Sequence, residues 1–491
     1  MQTVLRSPRL WLAVEMAAVA AVGGVFGWFA PERFPDSATY VAVAEKPLGE
    51  MLGCPRTIGY PLFLKAAALV SPDFGLVPWL HLAMLFGAVF FFDGSLRRFG
   101  ATPWVAFTAS TALLAAAFQD AAVRILLADF PAMLGAVVTV GFLFRLAAEP
   151  RRAANWAGLA VALAVTYHVR PAYLFLIPLV PILGVVLRRI VMRRRGQRPA
   201  WLRLGAGLGA ASAGPYVAYC FLRLVLVGHF GLVSFGGMSI VGIAAELIDE
   251  AMIRRELPPS MRPLAADIAR RRADMGLETV FRGGGVIRIR QWELQFNDNV
   301  WRAAVPAATA LYGRDPRQVN DRLASLSKAV IRLRLGPYLL FVAYSFPRAL
   351  AKYFFCSWTA QVLLLAGLVL WAIRRRRTRH AAGGANTPAV PHASPADAVL
   401  PALAAAAALL LLAKAALLVL VICVGSRYIL PAGVLVPPAL ALWVRWQWRG
   451  LGTLGRVTHT EQPTNRGEAQ GADAPATHPY GGRRRDRRAA A

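Results

Sequence analysis

Long apolar runs alternate with short polar connections along most of the 491-residue chain. Runs of about 20 residues recur, and a helix needs this length to cross the hydrocarbon core of a bilayer. The runs lie near residues 10–29, 76–95, 102–118, 124–146, 155–170, 172–190, 203–228, 355–373, 399–421 and 428–446. The pattern predicts an all-α polytopic membrane protein with about ten transmembrane helices.

The composition supports this prediction and excludes a soluble enzyme with an ordinary surface. Hydrophobic residues make up 57% of the chain and charged residues only 16%, with a mean hydropathy of +0.48. Soluble proteins carry roughly 25% charged residues. The net charge of +29 would favour nucleic acid binding in a soluble chain, but here most of the excess follows from topology. We expect no nucleic acid partner.

Basic residues in the short connections orient the helices, because such residues stay on the cytoplasmic side. Arg6, Arg9, the 188–203 cluster, Arg374–Arg377 and the Arg-rich tail all fall on one side of the predicted membrane. Both termini are therefore expected in the cytoplasm of a cell with this protein in its inner (plasma) membrane. The first run lacks a convincing cleavage site, so we expect a retained signal anchor.

This topology divides the chain into regions. They are an N-terminal transmembrane region (1–228) with a first external loop (30–75), an external, mainly helical loop domain (229–350), a C-terminal transmembrane region (351–450) with a flexible cytoplasmic loop (374–398), and a disordered basic tail (451–491). The tail is expected to contact anionic membrane lipids. The cysteines have no metal-type spacing, and spacing alone does not pair them; they are Cys54, Cys220, Cys356 and Cys423.

Ionisable residues are costly near a membrane, so their positions point to function. In this chain they gather where the spans meet the external face, in separate short stretches. They are Asp36, Arg56, Asp120, Arg124, Asp129, His168, Arg170 and Arg427. Because the topology places all of them at one membrane level, we expect a cavity that opens outward at the lipid–water boundary.

Asp36 is the leading candidate. It follows Pro35 and precedes SATYVAVAEK, which we expect to form a short amphipathic helix along the membrane surface. Its carboxylate could cap that helix by accepting backbone N–H bonds. It could also be a general base that takes a proton from an attacking hydroxyl. The two roles are compatible.

Arginines at this level suit a lipid phosphate, which accepts bidentate hydrogen bonds from a guanidinium. The candidates are Arg56 in CPRTIGYPLFL and Arg427, followed by Tyr428, in VGSRYILP. Each arginine could instead anchor the chain at the interface. Lys414 lies deeper in the ninth span and could either snorkel or line a cavity.

The other candidates are less distinctive. Asp120 and Arg124 are four residues apart and could pair with each other on a helix. Asp129, one turn into the fourth span, needs a partner or a function. His168 and Arg170 mark a sharp turn between the fifth and sixth spans, where a histidine is more often structural than catalytic.

Two motifs of the first external loop, PDSATYVAVAEK and RTIGYPLFL, resemble the corresponding loop of the GT-C glycosyltransferases. LADFPAML, YHVRPAYLFLIP and SRYILP look like later elements of that family. The resemblance spans residues 10 to about 446 but is carried by these short motifs alone. It implies an inverting membrane enzyme that moves a sugar from a polyprenyl-phosphate donor to an envelope lipid, glycan or protein.

Carried over by position, the resemblance makes Asp36 the catalytic base and places Arg56 and Arg427 near the donor phosphate. Tyr428, Arg124, Arg170 and His168 are further candidates for donor binding, with supporting acids at Asp120 and Asp129. Two departures concern Ser37, where many members have a second acidic residue, and Ile58, where proline usually precedes Gly-Tyr-Pro. Without the second carboxylate we expect a metal-independent enzyme that needs no cofactor.

Two other functions stay open on sequence grounds. A transporter or flippase of a lipid-linked precursor would place charges near mid-membrane and have repeated halves with broken helices. A non-catalytic envelope scaffold would use the external domain as its docking surface, and Asp36 would then be dispensable.

Overall fold

A computed structural model describes residues 7–119, 122–194, 201–277, 281–282, 286–287, 289–381, 398–422 and 425–457. These residues are almost entirely helical. The α-helices are α1 (Pro8–Val25), α2 (Ser37–Ala44), α3 (Leu48–Met51), α4 (Gly59–Ala68), α5 (Val77–Phe99), α6 (Pro103–Phe118), α7 (Asp129–Ala148), α8 (Ala153–Val169), α9 (Leu176–Arg194), α10 (Trp201–Val227), α11 (Gly236–Ala244), α12 (Arg262–Asp274), α13 (Ile289–Asp298), α14 (Val305–Tyr312), α15 (Pro316–Leu333), α16 (Leu335–Cys356), α17 (Trp358–Ala381), α18 (Val399–Val421), α19 (Ser426–Ile429) and α20 (Val436–Val457).

Short irregular helices and one small hairpin complete the described chain. The 3₁₀ helices are Pro171–Tyr173, Ala245–Leu247, Pro259–Met261 and Leu430–Gly433, and the π-helical turns are Met252–Glu256 and Asn299–Ala304. Strands β1 (Phe281–Arg282) and β2 (Val286–Ile287) pair antiparallel.

The chain is a multi-pass helical membrane protein. Seven of the described helices are long and apolar enough to cross a bilayer, and two bent helix pairs raise that number to nine. The bent pairs are α15 with α16, at 95°, and Arg427–Gly433 with α20, at 42°. A helix stands at or near each of the ten predicted runs, but α6 and α8 have only 16 and 17 residues. The number of ten stays a prediction.

Glycine and proline set several helix ends. Helix α5 ends at Phe99, where Gly100 adopts a φ of +114° and donates its N–H to the Arg97 carbonyl. A left-handed residue after a helix favours glycine, which has no Cβ to clash. Thr102 is extended, and Pro103 then starts α6 at the position where a missing N–H costs nothing.

The predicted start of the fourth span at residue 124 is wrong, because α7 begins only at Asp129. The preceding segment pairs with Glu32 instead of entering the helix. The Glu32 N–H donates to the Arg124 carbonyl over 2.9 Å, and the Leu126 N–H donates to the Glu32 carbonyl over 3.0 Å. These bonds satisfy the backbone that the helix would otherwise use.

Two segments that were predicted to be flexible are helical where they begin. Helix α17 continues to Ala381, so residues 374–381 of the predicted loop are helical, and α20 continues through 451–457. The rest of that loop from 382 to 397 and the tail from 458 to 491 lie outside the described residues.

The region 229–350 has a hydrophobic core of its own, separate from that of the long helices. Trp292 of α13 packs on Phe341 of α16, with ring centroids 4.3 Å apart. A polar group is buried in the same core: Arg272 pairs with Glu246 over 2.5 Å, and Asn299 contacts both side chains.

Helix α16 links this core to that of the long helices. It passes the predicted domain boundary at residue 350 without a break and reaches Tyr353, whose hydroxyl donates to the Gly433 carbonyl over 2.8 Å. Cys54, Cys220 and Cys356 are free thiols, and Cys423 lies outside the described residues.

Candidate functional site

Residues 30–75, the predicted first external loop, fold into α2, α3 and α4, and Asp36 stands directly before α2. Helix α2 buries one face through Ser37, Tyr40 and Val43, residues at helical spacing. The Ser37 hydroxyl accepts the Phe34 N–H over 2.9 Å, whereas the Asp36 side chain makes no capping hydrogen bond. The interpretation of Asp36 as a helix cap is therefore wrong, and its carboxylate is directed to other partners.

Two arginines from distant parts of the chain bind the Asp36 carboxylate. Arg56 Nη2 donates to Oδ1 over 3.2 Å, and Arg427 Nη2 donates to Oδ2 over 2.5 Å. Each carboxylate oxygen thus has its own guanidinium. The structure brings together the residue predicted as the base and the two arginines predicted to lie near a phosphate.

Arg56 is held by further contacts. Its Nε donates to the Thr39 hydroxyl over 3.1 Å, and that hydroxyl donates to the Asp36 carbonyl over 2.7 Å. The guanidinium also lies 4.8 Å from the ring centroid of Tyr40 and 5.1 Å from that of Phe235. Arg56 is therefore not a snorkelling interface residue but a positioned cation.

Gly59 allows the segment after Arg56 to approach the end of α8 closely. A Cβ at this position would lie 2.6 Å from the carbonyl carbon and oxygen of His168, closer than real contacts allow. Beside it, the Thr57 hydroxyl donates to the Val169 carbonyl over 3.2 Å. The close contact fixes the turn that carries Arg56 against the end of α8.

The cluster continues from Arg427 into the membrane core. Arg427 donates to the Tyr428 hydroxyl and lies over the Tyr428 ring at 4.6 Å. On the same ring, the guanidinium of Arg170 lies 5.6 Å from the centroid. Arg170 in turn pairs with Asp129 over 2.5 Å, and both side chains are nearly buried. The carboxylate at the start of α7 thus has the partner that its position requires.

Lys414 is an inward-facing cation that the sequence left undecided. Its Nζ donates to the Ala172 carbonyl over 2.9 Å and lies 4.1 Å from the ring centroid of Tyr173. The side chain is only 2% exposed, so it does not snorkel to the interface. A lone lysine inside the apolar α18 was the signal available in the sequence.

Tyrosine hydroxyls near these cations were missed by the sequence analysis. Tyr60 packs edge-on against Tyr40, and Tyr173 lies below Lys414. Both hydroxyls are buried and have no hydrogen-bond partner among the described residues. Buried hydroxyls without a partner are uncommon and are able to donate to a bound ligand.

Two of the described candidate residues, Arg124 and His168, do not join the cluster. Arg124 forms an ion pair with Glu32 over 2.8 Å, and its predicted pairing with Asp120 stays a prediction. Asp120 itself lies outside the described residues. His168 contacts the Ala164 carbonyl through Nδ1 over 2.6 Å and packs edge-on against Tyr219, as a structural histidine does.

The charges of the cluster do not balance. Among the described residues, three arginines face two carboxylates; the arginines are Arg56, Arg170 and Arg427, and the carboxylates are Asp36 and Asp129. Burial raises the pKa of Asp36, but the charges of Arg427 and Arg56 outweigh it and hold the pKa below its ordinary value of 3.8. Asp36 is therefore ionised at neutral pH, and the cluster keeps an excess of positive charge.

In the part of the chain that the structure describes, no three His, Cys, Asp or Glu side chains come together as ligands for a metal ion. Comparison with known protein families, curated proteins and solved structures finds no match to this chain.

Proposed function

We propose that the chain is an integral membrane glycosyltransferase of the GT-C type, which moves a sugar from a polyprenyl-phosphate donor to an envelope lipid, glycan or protein. The observation that carries the proposal is the excess of positive charge, among the described residues, around the ionised Asp36. A lipid phosphate supplies the negative charge that the cluster lacks, and guanidinium groups bind phosphate with paired hydrogen bonds.

The reaction uses Asp36 and the two arginines in complementary roles. The acceptor hydroxyl oxygen forms a bond to the anomeric carbon while the bond from that carbon to the phosphate oxygen breaks. The hydroxyl proton passes to Asp36, and the lipid phosphate leaves with the bonding electron pair. Arg56 and Arg427 stabilise the charge that develops on the departing phosphate. Direct displacement inverts the anomeric centre.

Donor binding also prepares the base. Without donor, both carboxylate oxygens of Asp36 are occupied by Arg56 and Arg427, which makes a weak base. A phosphate competes for the same guanidinium groups. When they turn to the phosphate, Asp36 loses the charges that lower its pKa and becomes a stronger base. Donor binding therefore precedes the activation of the acceptor hydroxyl by Asp36.

The proposal also covers the membrane orientation, the place of the lipid tail and the role of the 229–350 region. The cluster faces the outside of the inner membrane, both termini lie in the cytoplasm, and the polyprenyl tail lies between helices open to lipid. The 229–350 region, with its separate core, binds the acceptor.

A flippase for a lipid-linked precursor is the second candidate. It is favoured by the broken helix at the cluster, where Arg427–Gly433 and α20 meet at 42°. Discontinuous helices commonly mark substrate sites in transporters. A flippase and a transferase would both bind a polyprenyl phosphate, but only the transferase needs Asp36 as a base.

The phosphate part of the proposal is tested by binding of a polyprenyl phosphate to the purified protein in detergent. We expect it to bind, and the polyprenol without phosphate to bind much more weakly. Arg427→Gln is expected to weaken phosphate binding about 10- to 100-fold, since a hydrogen bond to a charged group contributes about 1.5–3 kcal/mol.

Arg124→Gln is the matched control, because Arg124 pairs with Glu32 away from the cluster. It should leave the affinity unchanged within about twofold. Equal losses in the two variants, or equal binding of polyprenol, would contradict a phosphate site at Arg427.

The pH dependence of transfer gives a second test. A base acts when deprotonated, so kcat/KM is full above the pKa of Asp36 and falls as the pH drops through it. Because Arg427 lowers that pKa, wild type should stay on the plateau from about pH 6 to about pH 8. In Arg427→Gln the acid limb should move to higher pH by about one unit or more. An unmoved limb in the pH–rate profile would argue against Asp36 as the base.

A further inference from the structure

Arg223, near the end of α10, is a buried arginine whose protein contacts satisfy it only in part. The residue is 1% exposed. Its Nε donates to the Leu52 carbonyl over 3.1 Å, and its Nη1 donates to the Gly231 carbonyl. Its Nη2 is also buried but has no hydrogen-bond partner among the described residues. A guanidinium has five N–H donors, so Arg223 keeps donors for a further acceptor.

Arg317 of α15 brings a second guanidinium to the same place. Its Nη1 donates to the Val227 carbonyl over 3.0 Å. Its guanidinium also lies against Gly53, where a Cβ would be only 2.5 Å from Nη2. Val227 and Gly53 lie within four residues of the two carbonyls that bind Arg223, and the charge of Arg317 acts on Arg223. The two guanidinium groups are therefore neighbours.

Within the described part of the chain, neither arginine forms an ion pair with a carboxylate. The acids of α15 nearest in sequence have other contacts: Asp315 accepts the backbone N–H of Arg317, and Asp321 faces His229 over 3.8 Å. The carbonyls satisfy N–H groups but do not neutralise charge. A buried cation without a counter-charge is strongly unfavourable, so an anion bound here would stabilise the arrangement.

The two arginines lie near the Asp36 cluster without belonging to it. Leu52, which binds Arg223, precedes Arg56 by four residues, a separation of at most about 14 Å even in an extended chain. Arg317 is only partly buried, so a ligand has access from its side. The arginines thus offer a separate binding place at the same membrane boundary.

We infer that Arg223 and Arg317 bind a phosphomonoester group, carried by a lipid or by a soluble molecule. A phosphomonoester carries about −1.5 to −2 charges at pH 7 and has three strong acceptor oxygens, which matches two guanidinium groups without a carboxylate. A phosphodiester has less negative charge and leaves part of the positive charge uncompensated. The inference does not depend on the proposed function, because Arg56 and Arg427 take no part in it.

The test is native mass spectrometry of the delipidated full-length protein in detergent, titrated with phosphatidic acid, phosphatidylglycerol or glycerol 3-phosphate. We expect phosphatidic acid, a phosphomonoester, to bind more tightly than phosphatidylglycerol, a phosphodiester. A higher affinity for phosphatidic acid than for glycerol 3-phosphate assigns the site to a lipid, and equal affinities of these two assign it to a soluble phosphomonoester. Each titration is repeated in Arg427→Gln, which weakens the proposed donor site, so that the remaining binding reports Arg223 and Arg317.

Two variants address the site itself. Arg317→Gln should weaken phosphatidic acid binding about tenfold or more. Gly53→Ala should weaken it too without removing a charge, because the added Cβ displaces the Arg317 guanidinium. The matched control is Arg322→Gln, an exposed arginine of the same helix that lies over the Tyr312 ring; it should change the affinity less than about twofold.

Three results would overturn the inference. Equal losses in Arg317→Gln and Arg322→Gln would show a diffuse attraction and no defined site. Equal affinities for phosphatidic acid and phosphatidylglycerol would remove the phosphomonoester. Loss of all phosphate binding in Arg427→Gln alone would place the phosphate at the Asp36 cluster, which contradicts this inference and leaves the proposed function intact. Thermal unfolding of each variant, matched to wild type, shows that a loss of binding is not a loss of folding.

Discussion

We expect Asp36→Asn to lower the proposed sugar transfer by about 10²- to 10⁴-fold, the usual contribution of a positioned general base. Asparagine has nearly the same shape, and its single carbonyl oxygen still accepts a hydrogen bond from one of the two arginines, but it cannot take the acceptor proton. Because the side chain makes no capping hydrogen bond in the structure, the change should leave α2 folded. Catalysis and not stability is therefore affected.

The measurement compares lipid-linked sugars and envelope glycans in cells whose own copy is replaced by wild type or Asp36→Asn at matched expression. One sugar should disappear from an envelope component while its polyprenyl-phosphate form accumulates, which names donor and acceptor. Asp73→Asn is the control, since Asp73 is an exposed acid of the same loop that contacts Ser71 and Gly75. An unchanged glycan profile in Asp36→Asn would falsify the transferase proposal.

A transfer assay in detergent then separates the transferase from the flippase. Micelles have no two sides, so a flippase has no activity there. Transfer from the named donor by wild type, and its loss in Asp36→Asn with polyprenyl-phosphate binding retained, supports the transferase. If the wild-type protein binds the donor but transfers no sugar, the flippase is favoured.

Breaking the pair of Arg170 and Asp129 should have the largest effect on stability. The two side chains are 13% and 12% exposed and 2.5 Å apart, so removing one leaves a nearly buried charge without its partner. Such a loss costs about 3–5 kcal/mol. Arg170→Met and Asp129→Asn alone should each lower the Tm in detergent clearly, whereas the double variant should recover at least part of the loss.

Arg254→Gln provides the comparison for an exposed pair. Arg254 and Glu250 are 72% and 76% exposed, and such pairs contribute roughly 0–1 kcal/mol. Its Tm should match that of wild type. A Tm of the Arg170 and Asp129 single variants equal to that of wild type would contradict a stabilising role of the pair. A Tm of the double variant no higher than that of the single variants would contradict it as well.

The long apolar runs were sufficient to predict the helices, because a run of this length and composition leaves few alternatives in a bilayer. The grouping of Asp36 with Arg56 and Arg427 was also predicted, from a shared membrane level and a family resemblance. The roles of these residues stay predictions. What the sequence supplied was which polar groups face the same boundary, and not which group contacts which.

Local spacing along the sequence could not predict which side chains contact each other. Asp120, the partner that local spacing suggested for Arg124, lies outside the described residues. Among the described residues Arg124 meets Glu32, 92 positions earlier, through a backbone pairing that no periodicity encodes. Lys414 was undecided for a similar reason, since its carbonyl partner at Ala172 is brought near only by tertiary packing.

Helix α16 connects the core of the 229–350 region with the segment that carries Arg427. Phe341 packs one end of α16 against Trp292 in the core of the 229–350 region. Near the other end of α16, Tyr353 donates a hydrogen bond to Gly433, in the bent segment that begins at Arg427. An α-helix transmits a tilt along its length because its backbone bonds resist bending. In a transferase whose 229–350 region binds the acceptor, a tilt of α16 on acceptor binding would shift Arg427 relative to Asp36, so that occupancy of one substrate site would adjust the charge balance of the other.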